Sequence, residues 1–149
     1  MMDDVMRWLL VSQAVSTLLM VGLIWFVQVV HYPLFDAVGR DRFADYERRH
    51  TLRTTWVVGP PMLIEAVSAT LLCWLKPAGL SDWSVWAGLA MLALIWLSTA
   101  VVQVPCHSRL ERGFDEVAYR RLVRTNWLRT VLWSARGGLA SWMLVTGLD

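Results

Sequence analysis

The sequence predicts an all-α integral membrane protein, a four-helix bundle assembled from two tandem related helical hairpins. Three observations predict it. The chain of 149 residues is 56% hydrophobic, with ten tryptophans and a single lysine. Its charges are swept out of four long segments: 8–35 and 83–108 hold no Asp, Glu, Lys or Arg, 54–75 is interrupted only by Glu65, and 130–148 only by Arg136 and the terminal approach to Asp149. Finally, a set of polar residues in the first half recurs, in order, in the second.

A helix needs about 20 apolar residues to cross a bilayer, and only helices or closed barrels satisfy their backbone there. The spacing therefore predicts spans at about 8–33, 54–75, 83–106 and 127–147 within one membrane domain, 1–149. The first run is too long for the core of a cleavable signal, and its start, M-M-D-D-V-M-R, is acidic where a signal is basic. It is expected to stay. The loop at 36–53 carries Arg40, Arg42, Arg48, Arg49 and Arg53, and the loop at 109–129 carries Arg109, Arg112, Arg120, Arg121, Arg124 and Arg129. That leaves only Arg7, Lys76 and Arg136 elsewhere. The positive-inside rule places both loops in the cytoplasm and both termini outside the cell (inner) membrane, in a multi-pass arrangement. A net charge of +2 implies no nucleic-acid partner; the arginines suit anionic lipid headgroups. Cys73 and Cys106 fall at opposite ends of their spans, too far apart to pair.

Each element shows one polar stripe. On the first span Trp25, Gln28 and His31-Tyr32 share a face. From Asp41, a predicted N-cap, Phe43, Tyr46, Glu47, His50, Thr54, Val57, Pro61 and Glu65 follow at steps of three or four, so the loop is expected to be helical and to run into the second span. Pro60-Pro61 is expected to bend it. Trp96, Thr99, Gln103 and His107 form the third stripe. Ala118, Leu122, Asn126, Arg129, Trp133, Arg136 and Ala140, following Asp115, form the fourth.

The halves echo each other. Gln28, His31, Phe43, Tyr46, Leu52-Arg53-Thr54 and Trp56 have counterparts in Gln103, His107, Phe114, Tyr119, Leu128-Arg129-Thr130 and Trp133. This predicts parallel repeats at 1–75 and 76–149, with Gln28 and His31 across the bundle from Gln103 and His107.

These stripes predict a single cavity in the inner half of the bundle, lined by Gln28, His31, Glu47, His50, Glu65, Gln103, His107, Asn126, Arg129 and Arg136 and walled by Trp25, Trp96 and Trp133. Glu65 lies roughly 18 Å along the helix from Arg53. An unpaired charge at that depth costs at least about 2.5 kcal/mol, so Glu65 and Arg136 are expected to compensate each other. Trp133 sits one turn from both arginines, a spacing suited to cation–π contact. Trp8, Trp56, Trp74, Trp83 and Trp127 are assigned to the interfacial belts.

Three chemistries suit such a cavity. Glu47-x-x-His50 has the spacing of carboxylate-bridged metal bundles; the repeat position, Tyr119-Arg120-Arg121, supplies no carboxylate, which leaves a mononuclear metal site from Glu47, His50, His31 and His107. Haem b between His31 and His107 is a second. The third is cofactor-free: a histidine base, Arg129 and Asn126 holding an oxyanion, and tryptophans stacking a flat substrate.

The stretch P-C-H-S-R-L at 105–110, N-W-L-R-T at 126–130 and H-Y-P-L-F at 31–35 together resemble the anthrone-oxygenase-like family of small four-helix membrane proteins. The family more often has asparagine where His107 stands, and Glu47-His50 lies outside its pattern. The resemblance implies oxidation of an anthrone-like hydrophobic aromatic or quinone-like molecule with molecular oxygen and no cofactor, with His31, His107, Asn126 and Arg129 as the catalytic positions. Gln28, Glu65, Gln103, Trp133 and Arg136 are then the cavity residues. The competing class is a non-catalytic membrane carrier or accessory subunit; as a carrier, four spans would require a homodimer.

Overall fold

The computed structural model describes residues 4–148, and among them every regular element is helical. Helix α1 (Asp4–Phe26) runs into a single π turn (Val27–His31) and a 3₁₀ turn (Pro33–Ala37). Helix α2 (Phe43–Leu75) is unbroken through Pro60-Pro61. Helix α3 (Asp82–Ser98) passes through a second π turn (Thr99–Gln103) into α4 (Val104–Leu110), and α5 (Glu116–Leu148) closes the chain. Three helical stretches, Asp4–Ala37, Phe43–Leu75 and Asp82–Leu110, are long and apolar enough to cross a membrane. Helix α5 matches α2 in length, but Arg124, Arg129 and Arg136 with its glycines, serines and threonines dilute its apolar run.

Both arginine-rich loops are largely helical, because their stripes continue those of the spans. The start of α5 follows the capping rule: Asp115 Oδ1 accepts the backbone N–H groups of Val117 and Ala118, each at 2.9 Å. The predicted cap at Asp41 is corrected; α2 begins at Phe43 with Arg42 in the N-cap position and no side-chain cap.

The two π turns were not anticipated. In each, a backbone N–H reaches the carbonyl five residues back: Tyr32 to Val27 at 2.9 Å, and Val104 to Thr99. A proline follows two residues after each, Pro33 and Pro105. Proline cannot donate and clashes with the carbonyl four residues earlier; one extra residue per turn relieves that clash. The inserted residue also resets the buried stripe. On the third segment the buried positions run Leu92, Ile95, Ser98, then Gln103, Cys106, Leu110, so a step of five replaces three or four.

Helix α1 packs along both α2 and α5, and α3 packs on α5 and α2. Three apolar clusters stack along the length. Leu10, Leu72, Leu80, Val85 and Met143 occupy the end near Lys76. Met20, Ile24, Met62, Ile95 and Trp133 fill the middle. Tyr32, Phe35, Phe43, Cys106 and Leu122 fill the arginine-rich end. Gly137 permits the close approach of α5 to α1, since a Cβ there would lie 2.9 Å from Val21 Cγ2. The outward faces are apolar over nearly their whole area, with Leu19, Val30, Leu63, Val67, Leu97 and Val145 among the exposed side chains.

Candidate functional site

The polar residues gather into two networks rather than one cavity. The deeper one is built around Glu65, whose side chain is fully buried. Its Oε1 accepts the Thr17 hydroxyl at 2.8 Å and Arg136 Nε at 2.9 Å; its Oε2 accepts Trp133 Nε1 at 3.2 Å. Thr17 is in turn linked to Gln13, and Gln13 Oε1 accepts the Ser68 hydroxyl at 2.7 Å. Arg136 Nη1 also donates to the Gly88 carbonyl. The expected compensation of Glu65 by Arg136 is therefore direct. No sizeable space remains beside it: the void touching Arg136 is about 10 Å³, and of the guanidinium nitrogens Nε and Nη1 are engaged while Nη2 has no partner.

The second network lies at the arginine-rich end, where α1 and α3 leave their π turns. His107 donates or accepts on both ring nitrogens. Its Nδ1 meets Glu47 Oε1 in a close hydrogen bond, and its Nε2 lies 3.0 Å from the Tyr32 hydroxyl. With a carboxylate on Nδ1, that nitrogen carries the proton and Nε2 is free to accept. His50 Nδ1 lies 2.8 Å from His31 Nε2 and 3.1 Å from the Thr54 hydroxyl. The rings of His31 and His50 are 4.5 Å apart, and those of His50 and His107 5.6 Å. Glu47 is fully buried, and its Oε2 has no partner.

Arg129 adds a buried positive charge. Its guanidinium stands 5.1 Å above the Trp133 ring and beside Tyr32, Nη1 donates to Asn126 Oδ1 at 3.1 Å, and Nε has no partner. Asn126 Nδ2 donates to Gln28 Oε1 at 2.9 Å, and Gln28 Nε2 donates to the Val123 carbonyl at 3.2 Å. Trp133 joins the two networks, with its face to Arg129 and its N–H to Glu65.

Two pockets meet at His50. One, of about 500 Å³, opens between α1 and α2 and is lined mainly by Leu23, Phe26, Val27, Val57 and Val58, with His31, Arg49 and Arg53 at its polar end. The other, of about 230 Å³, lies between α2 and the α3–α4 segment and brings together Tyr32, Thr54, Gln103, His107 and Arg129. No family model, curated protein or solved structure matches this chain.

Against the sequence reading, His31, Glu47, His50, Gln103, His107 and Arg129 line these two pockets or join the network at their meeting point. Gln28, Glu65, Asn126, Trp133 and Arg136 line neither. They are consumed by one another, and the single cavity they were expected to share is corrected to a packed core plus a separate polar end. Asn126 is fully buried and lines neither pocket; its oxygen holds Arg129 and one N–H holds Gln28, so it positions Arg129 rather than facing an oxyanion. His31 does not face His107; His50 stands between them. Trp25 and Trp96 are also corrected. Both are exposed. On the first segment the buried stripe steps back by four from Gln28 to Ile24 and Met20 and so passes Trp25 by. On the third, the π turn lies between Trp96 and the end of the stripe at Gln103 and brings Ile95 inward in place of Trp96. Trp25 instead donates to the Ser134 hydroxyl at 3.0 Å on the outer surface.

Sequence reasoning did not single out Tyr32, Thr17, Gln13 or Ser68. A signal existed for two of them: Gln13 and Thr17 are polar residues one turn apart in a span otherwise built from apolar and small side chains. Nothing in the sequence marked Tyr32 beyond its place beside His31.

Proposed function

We propose that this chain is an integral, multi-pass membrane protein, with α5 as the fourth crossing, that takes a flat hydrophobic molecule from the bilayer and oxidises it at the polar end of the bundle. Supporting the crossing by α5 is the fate of Arg136: it is buried and paired with Glu65, and Arg129 is buried too, so the 127–147 stretch of α5 presents no bare charge to lipid. The exposed Leu and Val surface, far larger than the few hundred Å² a soluble monomer tolerates, supports membrane burial. Exposed Trp8, Trp74 and Trp83 lie toward one end and Trp56 and Trp127 toward the other, as interfacial belts require. The arginine-rich end is cytoplasmic in this reading, with both termini outside and the cell (inner) membrane as the location.

The observation that carries the functional reading is the junction at His50, where an apolar pocket between two lipid-facing helices meets a buried His–Glu–Tyr–Arg cluster. A hydrophobic ring system enters between α1 and α2, and its volume fits the range of small-molecule sites. Glu47 holds the Nδ1 proton of His107, leaving Nε2, in contact with Tyr32, as the proton acceptor. Arg129, desolvated and held by Asn126 and Trp133, stabilises the substrate anion. An anthrone-like carbanion or phenolate so formed is electron-rich enough to react with molecular oxygen, in keeping with the resemblance to anthrone oxygenases.

The test is oxygen uptake and product formation from an anthrone by the protein in lipid nanodiscs. Turnover that is lost in Arg129→Leu and His107→Ala supports the proposal. Flux of the compound across liposomes without chemical change would assign the pocket to a carrier instead. Accessibility of single cysteines placed at Arg40 and Arg112 from the cytoplasmic face checks the orientation.

A further inference from the structure

The cofactor-free scheme leaves one feature unexplained. Glu47 is fully buried on the second turn of a membrane-associated helix, yet Oε2 has no donor at all. Buried carboxylate oxygens are almost always satisfied, and leaving one bare costs free energy. Two further side chains converge on it. Glu47, His50 and His107 each offer a ligand atom, and all three atoms lie within 4.8 Å of one another.

We infer that Glu47, His50 and His107 form a binding site for one divalent transition-metal ion, iron(II) or zinc. Glu47 and His50 come from one face of α2, one turn apart, and His107 comes from α4, so the ligands approach from two helices. Two imidazoles and one carboxylate are the donor set of mononuclear non-haem iron and of catalytic zinc. Bonds of about 2.1 Å put ligand atoms about 3.5 Å apart, a closure that side-chain rotation supplies. The surroundings are those of a metal site as well. A ligating histidine keeps its ring oriented through its second nitrogen. Here His50 Nδ1 is engaged by His31 and Thr54, which leaves Nε2 for the ion, and His107 Nε2 is engaged by Tyr32, which leaves Nδ1. A dication also neutralises the buried carboxylate. Three protein ligands leave open positions, and His50 and His107 both line the 230 Å³ pocket.

The inference stands apart from the substrate assigned above, because ion binding is read without substrate. The protein, purified in detergent and stripped with a chelator, is titrated with cobalt(II) as a spectroscopic probe and with zinc in equilibrium dialysis. The expected result is one ion per chain with visible cobalt bands of a low-coordinate site. Glu47→Gln and His107→Ala are expected to abolish those bands while helicity by circular dichroism is unchanged. Tyr32→Phe and Thr54→Val, which remove no ligand atom but loosen the hydrogen bonds that orient His107 and His50, the former also releasing the contact with Arg129, are expected to weaken binding about 10-fold, the low end for outer-shell partners. Substoichiometric uptake by the wild type overturns the inference, as does equal uptake by Glu47→Gln. Should the Glu47 and His107 variants fail to fold, the Tyr32 and Thr54 pair decides it: unchanged affinity in both counts against the site. Absent turnover with a bound ion leaves the metal standing and removes the oxidase; turnover by a protein that takes up no ion does the reverse.

Discussion

Replacing Glu65 by leucine removes, in one step, the acceptor for Arg136, Thr17 and Trp133. The geometry sets the size of the effect. Arg136 is 1% exposed and Glu65 0%, so neither group can turn to water. Removing one member of such a pair strands a desolvated charge and costs about 3–5 kcal/mol. Arg136→Leu strands Glu65 in the same way. Were the residues independent, the double variant would lose the sum, about 6–10 kcal/mol. With both charges gone the core is apolar. The Trp133 N–H loses its acceptor, and so does the Thr17 O–H, which keeps Gln13 only as a donor but can turn to a carbonyl of its own helix; the expected loss is about 1–3 kcal/mol. The double variant is thus expected to be more stable than either single one. Reversible unfolding in mixed detergent, followed by circular dichroism for the wild type and three variants, measures the cycle. Additive losses, or a Glu65→Leu variant within about 0.5 kcal/mol of wild type, would refute the buried-pair argument and the membrane crossing by α5 that depends on it.

Neighbouring glycines are expected to respond with opposite signs. Gly137→Ala forces a Cβ to 2.9 Å from Val21 Cγ2 and should destabilise by about 1–3 kcal/mol, whereas Gly138→Ala meets nothing within 4 Å and should stabilise by about 0.5–1 kcal/mol through helix propensity; thermal denaturation of the two side by side checks this. Asp115→Ala removes both capping bonds of α5 and is expected to cost about 1 kcal/mol, with Asp115→Asn, which keeps the acceptor, nearly neutral in the same unfolding assay. Asn126→Ala is expected to lower anthrone turnover about 10- to 100-fold by releasing Arg129 from its position. Quantifying kcat and KM separately tests this, because a merely loosened fold would leave the surviving molecules with unchanged kinetics.

Much of the burial pattern was legible beforehand. The α5 stripe from Ala118 to Ala140 is buried at every predicted position, since a regular helix repeats its face every three or four residues and α5 has no interruption. The same counting failed at Trp25, where steps of three and four back from Gln28 are both regular and the stripe takes Ile24, and at Trp96, because a π turn shifts the phase and a periodic pattern cannot show a phase shift it is assumed not to contain. Pro33 and Pro105 were visible, but proline signals a break without saying whether a kink, a π turn or a stop resolves it. The echo between the halves extends to these turns, each ending two residues before its proline, while the contacts differ: Gln28 pairs with Asn126, whereas Gln103 pairs with Thr125 and Ser98.

By itself, the amino-acid order determined segment length, apolar content and which face of each regular helix is polar, because these depend only on local composition and the helical period. It also required that Glu65 find a positive partner, since a lone charge at that depth is too costly. Which residues meet was decided by the tertiary structure. The azimuth of each helix about its axis, set by close approaches such as Gly137 on Val21 and by the two π turns, joined Thr17 to Glu65, put Tyr32 rather than His31 on His107, and drew Glu47, His50 and His107 to one point. The contacts between helices among these join residues 48 to 75 positions apart, and no periodicity within a segment carries information about its rotation relative to another.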